Sequence, residues 1–336
     1  MDWNGQTVLV TGAGGFIGSH LCERLVRAGA TTRAFVRYGS RGGHGWLDTL
    51  PAEVRSALQV TASDIRDRAA VERAVEGCDI VLHLAALIGI PYSYLAPESY
   101  VATNVTGTLN ILMAARGHGV ERIVCTSTSE VYGTGQFVPI TEDHPLVGQS
   151  PYAATKIGAD QLALSFHRSF DLPVAIARPF NTYGPRQSAR AVIPTIVSQI
   201  AAGRTRIELG SLHPTRDFTY VADTVGGLLA VAASTGAVGE VVNIGSSQEI
   251  SVGDLAALIA DVMGVAIEIV QDEARARPQG SEVDRLFGSN AKAAQLVGWA
   301  PDYAGRDGLR RGLTETATWF RDPENLALYR PDEYAV

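Results

Sequence analysis

The chain is poor in cysteine, and no arrangement of its cysteines suits a metal. Cys22, Cys78 and Cys125 are widely spaced and odd in number, and no Cys-x-x-Cys pair or Cys/His cluster accompanies them. That pattern speaks against a structural zinc site. Two of the three fall inside apolar stretches and read as small hydrophobes. A basic excess is also lacking. The 28 Lys and Arg against 35 Asp and Glu leave a formal net charge of -7, the opposite of a nucleic-acid footprint. A local basic pocket for a phosphorylated ligand stays open. No apolar run reaches membrane-spanning length, and the first six residues carry neither a basic n-region nor an apolar h-region. The expectation is a cytoplasmic protein with no metal, no nucleic-acid partner and no membrane partner. Internal repeats and low-complexity segments are absent. The 336 residues suffice for one large or two closely joined domains.

What is present is an alternation of strands and helices. Short β-branched or apolar runs at Thr7–Thr11, Thr32–Val36, Ala57–Thr61, Asp79–Leu84, Arg122–Ser127 and Val174–Arg178 read as strands. Between them, Ile17–Ala28, Asp67–Glu76, Tyr100–Arg116 and Pro151–Phe170 have helical apolar spacing. This order predicts an α/β fold with a parallel sheet covered on both faces. After Asn181 the alternation weakens. Glu240–Ile244 reads as a further strand of the first sheet, Val192–Ala202 and Val252–Met263 as helices, Ile267–Val270 as a strand, and Arg275–Arg285 as a charged loop.

Three groups of residues point to chemistry. Gly12-Ala13-Gly14-Gly15-Phe16-Ile17-Gly18 lies between the first strand and the first helix. Glycines there permit a tight turn and let backbone amides approach a pyrophosphate at the positive helix end. The second strand ends in Phe35-Val36-Arg37-Tyr38-Gly39-Ser40-Arg41 without a carboxylate, which leans to NADP over NAD, since arginine accommodates the 2′-phosphate. Asp64, after the third strand, can accept from the adenine amino group or serve as a turn residue. Finally, Tyr152 and Lys156 sit at i and i+4 of one helix. They share a face, and the ammonium is expected to lower the phenol pKa. A phenolate beside a hydroxyl can take its proton while hydride leaves the same carbon. Thr128 can hold the substrate oxygen beside it, with Ser127 structural. Glu130, two residues on, offers a second base that simple alcohol oxidation does not need.

With the Gly12 turn, Thr128, Tyr152 and Lys156, the segments Arg178-Pro179-Phe180-Asn181-Thr182-Tyr183-Gly184-Pro185 and Arg216-Asp217-Phe218-Thr219-Tyr220-Val221-Ala222-Asp223 make nearly the whole chain resemble an extended short-chain dehydrogenase/reductase acting on a nucleotide sugar. The resemblance implies a Rossmann-type doubly wound sheet over residues 1–180, rejoined by a segment about 215–248. It assigns 181–336 mainly to a smaller mixed α/β nucleotide-sugar-binding domain. It implies a tightly bound, recycled NADP or NAD touching Gly12, Gly15, Phe16, Ile17, Gly18, Arg37, Asp64, Ile65, Leu84, Ala85, Ala86, Tyr152 and Lys156. For the substrate it implies Ile88, Ser93, Asn181, Arg186, Val192, Arg216 and Arg277, the arginines at 216 and 277 neutralising the diphosphate. Relatives pair the helices at Tyr100–Arg116 and Pro151–Phe170 across a four-helix interface, so a homodimer is expected.

Within that family, Thr128-Ser129-Glu130 is similar to the Thr-Ser-Glu of GDP-mannose 4,6-dehydratases and UDP-glucuronate decarboxylases. Glucose-type 4,6-dehydratases carry an acidic aspartate where Ser129 stands. The stretches Ala86–Ser93 and Gln187–Pro194 resemble dehydratases of the legionaminic-acid pathway, which act on nucleotide-linked N-acetylglucosamine. The resemblance therefore implies a nucleotide-sugar 4,6-dehydratase. Its steps would be C4 oxidation by Thr128, Tyr152 and Lys156, loss of water across C5 and C6 with Glu130 as base, and hydride return to C6. The alternatives are a UDP-glucuronate decarboxylase, a 4-epimerase and a cofactor-sensing regulator built on a dead enzyme.

Overall fold

The computed structural model describes residues 1–39, 42–272 and 278–329. The strands are β1 (Thr7–Thr11), β2 (Thr31–Arg37), β3 (Gln59–Ser63), β4 (Ile80–His83), β5 (Arg122–Thr126), β6 (Val174–Pro179), β7 (Asn181–Tyr183), β8 (Arg206–Leu209), β9 (Thr215–Tyr220), β10 (Val241–Ile244), β11 (Glu249–Ser251), β12 (Glu268–Gln271) and β13 (Arg285–Leu286). Seven of them form one parallel sheet in the order β10-β6-β5-β4-β1-β2-β3. The fold class is the expected one.

Both faces of the sheet's central strands are buried, and these strands divide their side chains by the period of two. Val8 and Val10 of β1, Ile80 and Leu82 of β4, and Ala175 and Ala177 of β6 join the core under helices Phe16–Arg27 and Val221–Ala233. Their neighbours Leu9, Val81, Val174 and Ile176 join the opposite core, under helices Arg68–Val75, Gly107–His118 and Pro151–Phe170. A strand covered on both sides must be apolar throughout, so these segments read as continuous runs.

The third strand begins two residues later than expected, because Ala52–Ala57 forms a short helix. The stretch expected as one helix from Tyr100 is broken in character. Val101–Thr106 is a π-helical turn, and regular α-helix resumes at Gly107.

Strand order reverses between β1 and β4. The crevice beyond their carboxyl ends is where doubly wound sheets bind ligands. Over it lies a smaller sheet in which β9 pairs with β7, β11 and β13, together with the β8–β12 pair. The chain re-enters the large sheet through Val221–Ala233 and β10. Helix Gly305–Arg321 backs the smaller sheet, where Gly312 lets it press against Tyr183 (a Cβ there would stand 2.2 Å from the tyrosine oxygen). Among the described residues no helix is long and apolar enough to cross a membrane.

Candidate active site

Between the two layers lies a cavity of about 1130 Å3 that runs from the glycine turn to the smaller sheet. At one end, β1 hands over to helix Phe16–Arg27 through Gly12–Gly15. Gly12 has φ of +69°, and a Cβ on it would stand 2.9 Å from the Ala85 amide nitrogen. A Cβ on Gly18 would stand 2.3 Å from the Gly12 carbonyl oxygen. The turn is therefore packed as tightly as glycine allows. No side chain caps the helix, so its first amides face the cavity with their hydrogen-bonding capacity free for an anion. A dinucleotide pyrophosphate fits these groups. Gly12, Gly15, Phe16, Ile17, Gly18, Arg37, Leu84 and Ala86 all line this end.

At the far end a second uncapped helix, Val192–Ala201, also opens onto the cavity. Near it are Asn181, whose buried Oδ1 has no hydrogen-bond partner, and the buried Arg216. Two helix N-termini and a buried guanidinium in one cavity suit two separate phosphate groups.

The reactive groups lie between these ends. Thr128 follows β5 and caps the short turn Ser129–Tyr132, its hydroxyl accepting from the Glu130 amide at 3.3 Å. Tyr152 and Lys156 come from the first turns of helix Pro151–Phe170, capped by Ser150. All five predicted groups, Thr128, Ser129, Glu130, Tyr152 and Lys156, line the same cavity. The Lys156 ammonium donates to the Thr126 carbonyl at 2.7 Å. Burial lowers its pKa, and the Asp160 carboxylate one turn on opposes that.

The expectation that Lys156 holds the Tyr152 phenol down is corrected. Complete burial raises the phenol well above its ordinary value, with a hydrogen bond from Thr128 opposing and the Glu130 and Asp160 charges adding to the rise. Desolvation disfavours the charged phenolate.

Behind these groups runs a buried polar network. Arg178 pairs with Asp160 at 2.8 Å, and Ser127 donates to the same carboxylate oxygen at 2.6 Å. Arg178 also donates to Tyr132 at 2.8 Å, which in turn donates to Asn243 at 2.8 Å. The Ser127 hydroxyl is thus engaged by this network.

Some expected contacts fall elsewhere. Asp64 is not among the residues lining the cavity, and its carboxylate accepts from the backbone and guanidinium of Arg66 at 2.6–3.1 Å. Ile65 is buried beneath Gly107. Ala85 meets the turn only through its backbone, donating to the Thr11 hydroxyl at 3.1 Å. Ser93 is fully buried, its hydroxyl donating to the Ile90 carbonyl, and it does not reach the cavity. Ile88 and Val192 do line it. Arg186 lines it too, but its guanidinium is engaged by Glu23 at 3.0 Å on the first helix. Arg277 and Arg41 lie outside the described residues.

Other residues went unread in the sequence. Gly43–Trp46 fold over the glycine turn, the Trp46 amide donating to the Gly14 carbonyl at 3.0 Å. The cluster of glycines around His44 was the available signal. Trp46 in turn stacks on Tyr329, whose hydroxyl donates to the Gln187 carbonyl at 2.8 Å.

Comparison with known proteins agrees with this geometry. Residues 9–312 match the family model described as GDP-mannose 4,6 dehydratase. The low-salt glycan biosynthesis protein Agl12 of Haloferax volcanii is 35% identical over 310 residues, covering 90% of this chain and 96% of that protein. Among solved structures, the epimerase Mth375 of Methanothermobacter thermautotrophicus superposes with a TM-score of 0.87 at 31% identity, covering 97% of this chain and 94% of that one. The Streptomyces venezuelae dTDP-glucose 4,6-dehydratase DesIV, solved as a double mutant with NAD bound, gives 0.82 at 30% identity, covering 95% and 98%. From the extent of these matches, and from a glycine turn and a Thr–Tyr–Lys group opening on one cavity, the chain belongs to the extended short-chain dehydrogenase/reductase family of nucleotide-sugar epimerases and dehydratases.

Proposed function

We propose that the protein is a nucleotide-sugar 4,6-dehydratase that removes one water from an NDP-hexose and leaves a 4-keto-6-deoxy sugar. The observation that carries this reading is Glu130, a carboxylate on the same cavity wall as Thr128 and Tyr152. Tyr152, as a phenolate supported against its burial by the Lys156 ammonium, takes the proton of the C4 hydroxyl, whose oxygen Thr128 holds. A nicotinamide cofactor bound at the glycine turn supplies the hydride acceptor and donor. The C4 ketone acidifies the C5 hydrogen, and Glu130 removes it as general base. The C6–oxygen bond then breaks, and the hydroxyl leaves as water with the proton that Glu130 passes on, oriented by Ser129. C5 regains a proton from solvent, balancing the one that Tyr152 took from the C4 hydroxyl and releases, and C6 gains the hydrogen lost from C4. The sum is substrate minus one water.

Asn181, Arg216 and the Val192 helix end hold the diphosphate in this reading, and UDP- or GDP-linked N-acetylglucosamine is the substrate. Arg37, at the cavity edge with no carboxylate beside it in β2, favours NADP. We further propose a homodimer, supported by the exposed apolar side chains Leu95, Val101 and Phe170 beside the helices that would pair; light scattering showing a monomer at micromolar concentration would refute it.

The experiment is mass spectrometry after incubation with UDP- and GDP-linked N-acetylglucosamine, glucose, mannose and glucuronate. Loss of one water from a neutral sugar supports the proposal and names the substrate. A second reading, 4-epimerase, is favoured by the likeness to the epimerase Mth375. It needs Tyr152 but no second base, so the substitution Glu130→Gln separates the two. A dehydratase stalls with the ketone formed and water retained, whereas an epimerase keeps near-normal turnover. Loss of carbon dioxide from the glucuronate would instead establish a decarboxylase.

A further inference from the structure

His83 ends β4 fully enclosed, with both ring nitrogens hydrogen-bonded to threonines from two different elements. The direction of each proton can be assigned. The Thr11 hydroxyl oxygen accepts from the Leu84 and Ala85 amides, both at 3.1 Å. Both its lone pairs are then occupied, so its own proton goes to His83 Nδ1, 2.8 Å away. Nδ1 is therefore an acceptor, and the ring hydrogen sits on Nε2, which donates to Thr108 Oγ1 at 3.0 Å. Thr108 donates onward to the Asn104 carbonyl at 2.6 Å.

Asn104 lies in the π-helical turn, a distortion that often marks functional sites. Its side chain grips Leu87 twice, accepting from the amide at 2.8 Å and donating to the carbonyl at 3.0 Å. It also donates to Thr155 Oγ1 at 3.0 Å, and Thr155 donates to the Tyr152 carbonyl at 2.8 Å. An unbroken chain of hydrogen bonds thus runs from the strand beneath the glycine turn to the backbone of the reactive tyrosine. Along the way it fixes both ends of the segment Leu84–Leu87, which carries the cavity wall between them.

We propose that His83 is a positioning residue, held by Thr11 and Thr108 as the Nε2–H tautomer, which sets the distance between the glycine turn and Tyr152. A doubly protonated ring would turn a second donor toward Thr11, whose proton already points there. Burial opposes that state and pushes the ring pKa down to about 3, with the nearby Lys156 charge adding to the effect. His83 touches no part of the cavity, so it acts through the groups it holds.

The test has two arms. Imidazole 15N NMR of the full-length protein at neutral pH should give His83 a bare Nδ1 and a protonated Nε2. The opposite tautomer, or an averaged pair, would overturn the proposal whatever the enzyme does. The second arm compares Thr108→Val, which cannot accept from Nε2 or donate to Asn104, with Thr108→Ser, which can do both. This arm rests on the Tyr152 chemistry proposed above and uses the sugar nucleotide that turns over in the mass survey. Thr108→Val should lower kcat on the order of tenfold or more, as a displaced reactive group does, with KM nearly unchanged, while Thr108→Ser keeps most of the wild-type rate. Equal loss in both variants, or a change confined to KM, would refute the positioning role while leaving the dehydratase assignment intact.

Discussion

Replacing Asp160 by leucine should cost the fold about 3–5 kcal/mol, the range for removing one partner of a buried ion pair. Both side chains of the Asp160–Arg178 pair are 3% exposed, and their closest atoms are 2.8 Å apart. Asp160→Leu leaves the guanidinium enclosed with Tyr132, its ring 4.8 Å away, and no carboxylate. It also strips Ser127 of its acceptor. The double substitution Asp160→Leu/Arg178→Met removes both charges and should recover most of the loss, because well-packed apolar replacements of a buried pair are often neutral. Urea unfolding, followed by both circular dichroism and fluorescence to check for a two-state transition, gives the three free energies. A single substitution within about 1 kcal/mol of wild type, or a double no more stable than Asp160→Leu, would refute the reasoning. A catalytic consequence accompanies it. Lys156 loses the Asp160 carboxylate that supports its charge, so its pKa should fall further and the alkaline limb of the pH–rate profile should move to lower pH.

Three further predictions follow from the same geometry. Gly18→Ala places a Cβ 2.3 Å from the Gly12 carbonyl oxygen and should abolish co-purification of dinucleotide, whereas Gly119→Ala, with φ of +65° and open space around it, should cost only about 1–2 kcal/mol and leave cofactor content unchanged. His20 is held down to about 4 by burial and by Arg186, with Glu23 opposing. Its neutral ring therefore contributes stability that is complete above about pH 6.5 and is lost as pH falls through 4. His20→Gln should thus remove about 3 kcal/mol of the pH dependence of the unfolding free energy between those limits, and an unchanged pH dependence would count against it. Arg37→Ala should weaken NADP binding by about 1.5–3 kcal/mol, the worth of a hydrogen bond to a charged group, and leave NAD nearly untouched; fluorescence titrations showing equal losses would remove Arg37 from the 2′-phosphate.

The central strands of the large sheet were legible because two-sided burial demands unbroken apolar runs, and the helix holding Tyr152 because Ser150 and Pro151 mark its start. Helix Gly305–Arg321 was not legible. Its buried face is built partly from Gly308, Gly312 and Thr316, small residues that allow close approach to Tyr183 but carry no hydrophobic signal. The π-turn at Val101–Thr106 was equally hidden, since its apolar spacing is that of an ordinary helix. At the site, Gly12, Thr128, Glu130, Tyr152 and Lys156, all singled out by motif, line one cavity. Asp64 and Ser93 hydrogen-bond within their own turns and do not line the cavity, since a short polar side chain satisfies its own turn as readily as a ligand. His83 went unread because a histidine at the end of an apolar strand acquires its role only from Thr11 and Thr108, far apart in sequence.

The parallel pairing of β10 with β6 bears on how the protein is made. On the ribosome, the first 180 residues can emerge with every other strand of the large sheet, yet β6 stays an open edge until residues 241–244 arrive. An unpaired edge is a template for other chains, and nascent domains fold from the N-terminus as they appear. β7 and β9 of the smaller sheet, and β8 of the β8–β12 pair, are synthesised during that interval, so the nascent chain carries an unfinished dinucleotide-binding layer through the very stretch that lies over it. A fragment ending near residue 180 should therefore aggregate, and the two halves should become soluble only when translated as one polypeptide or co-expressed.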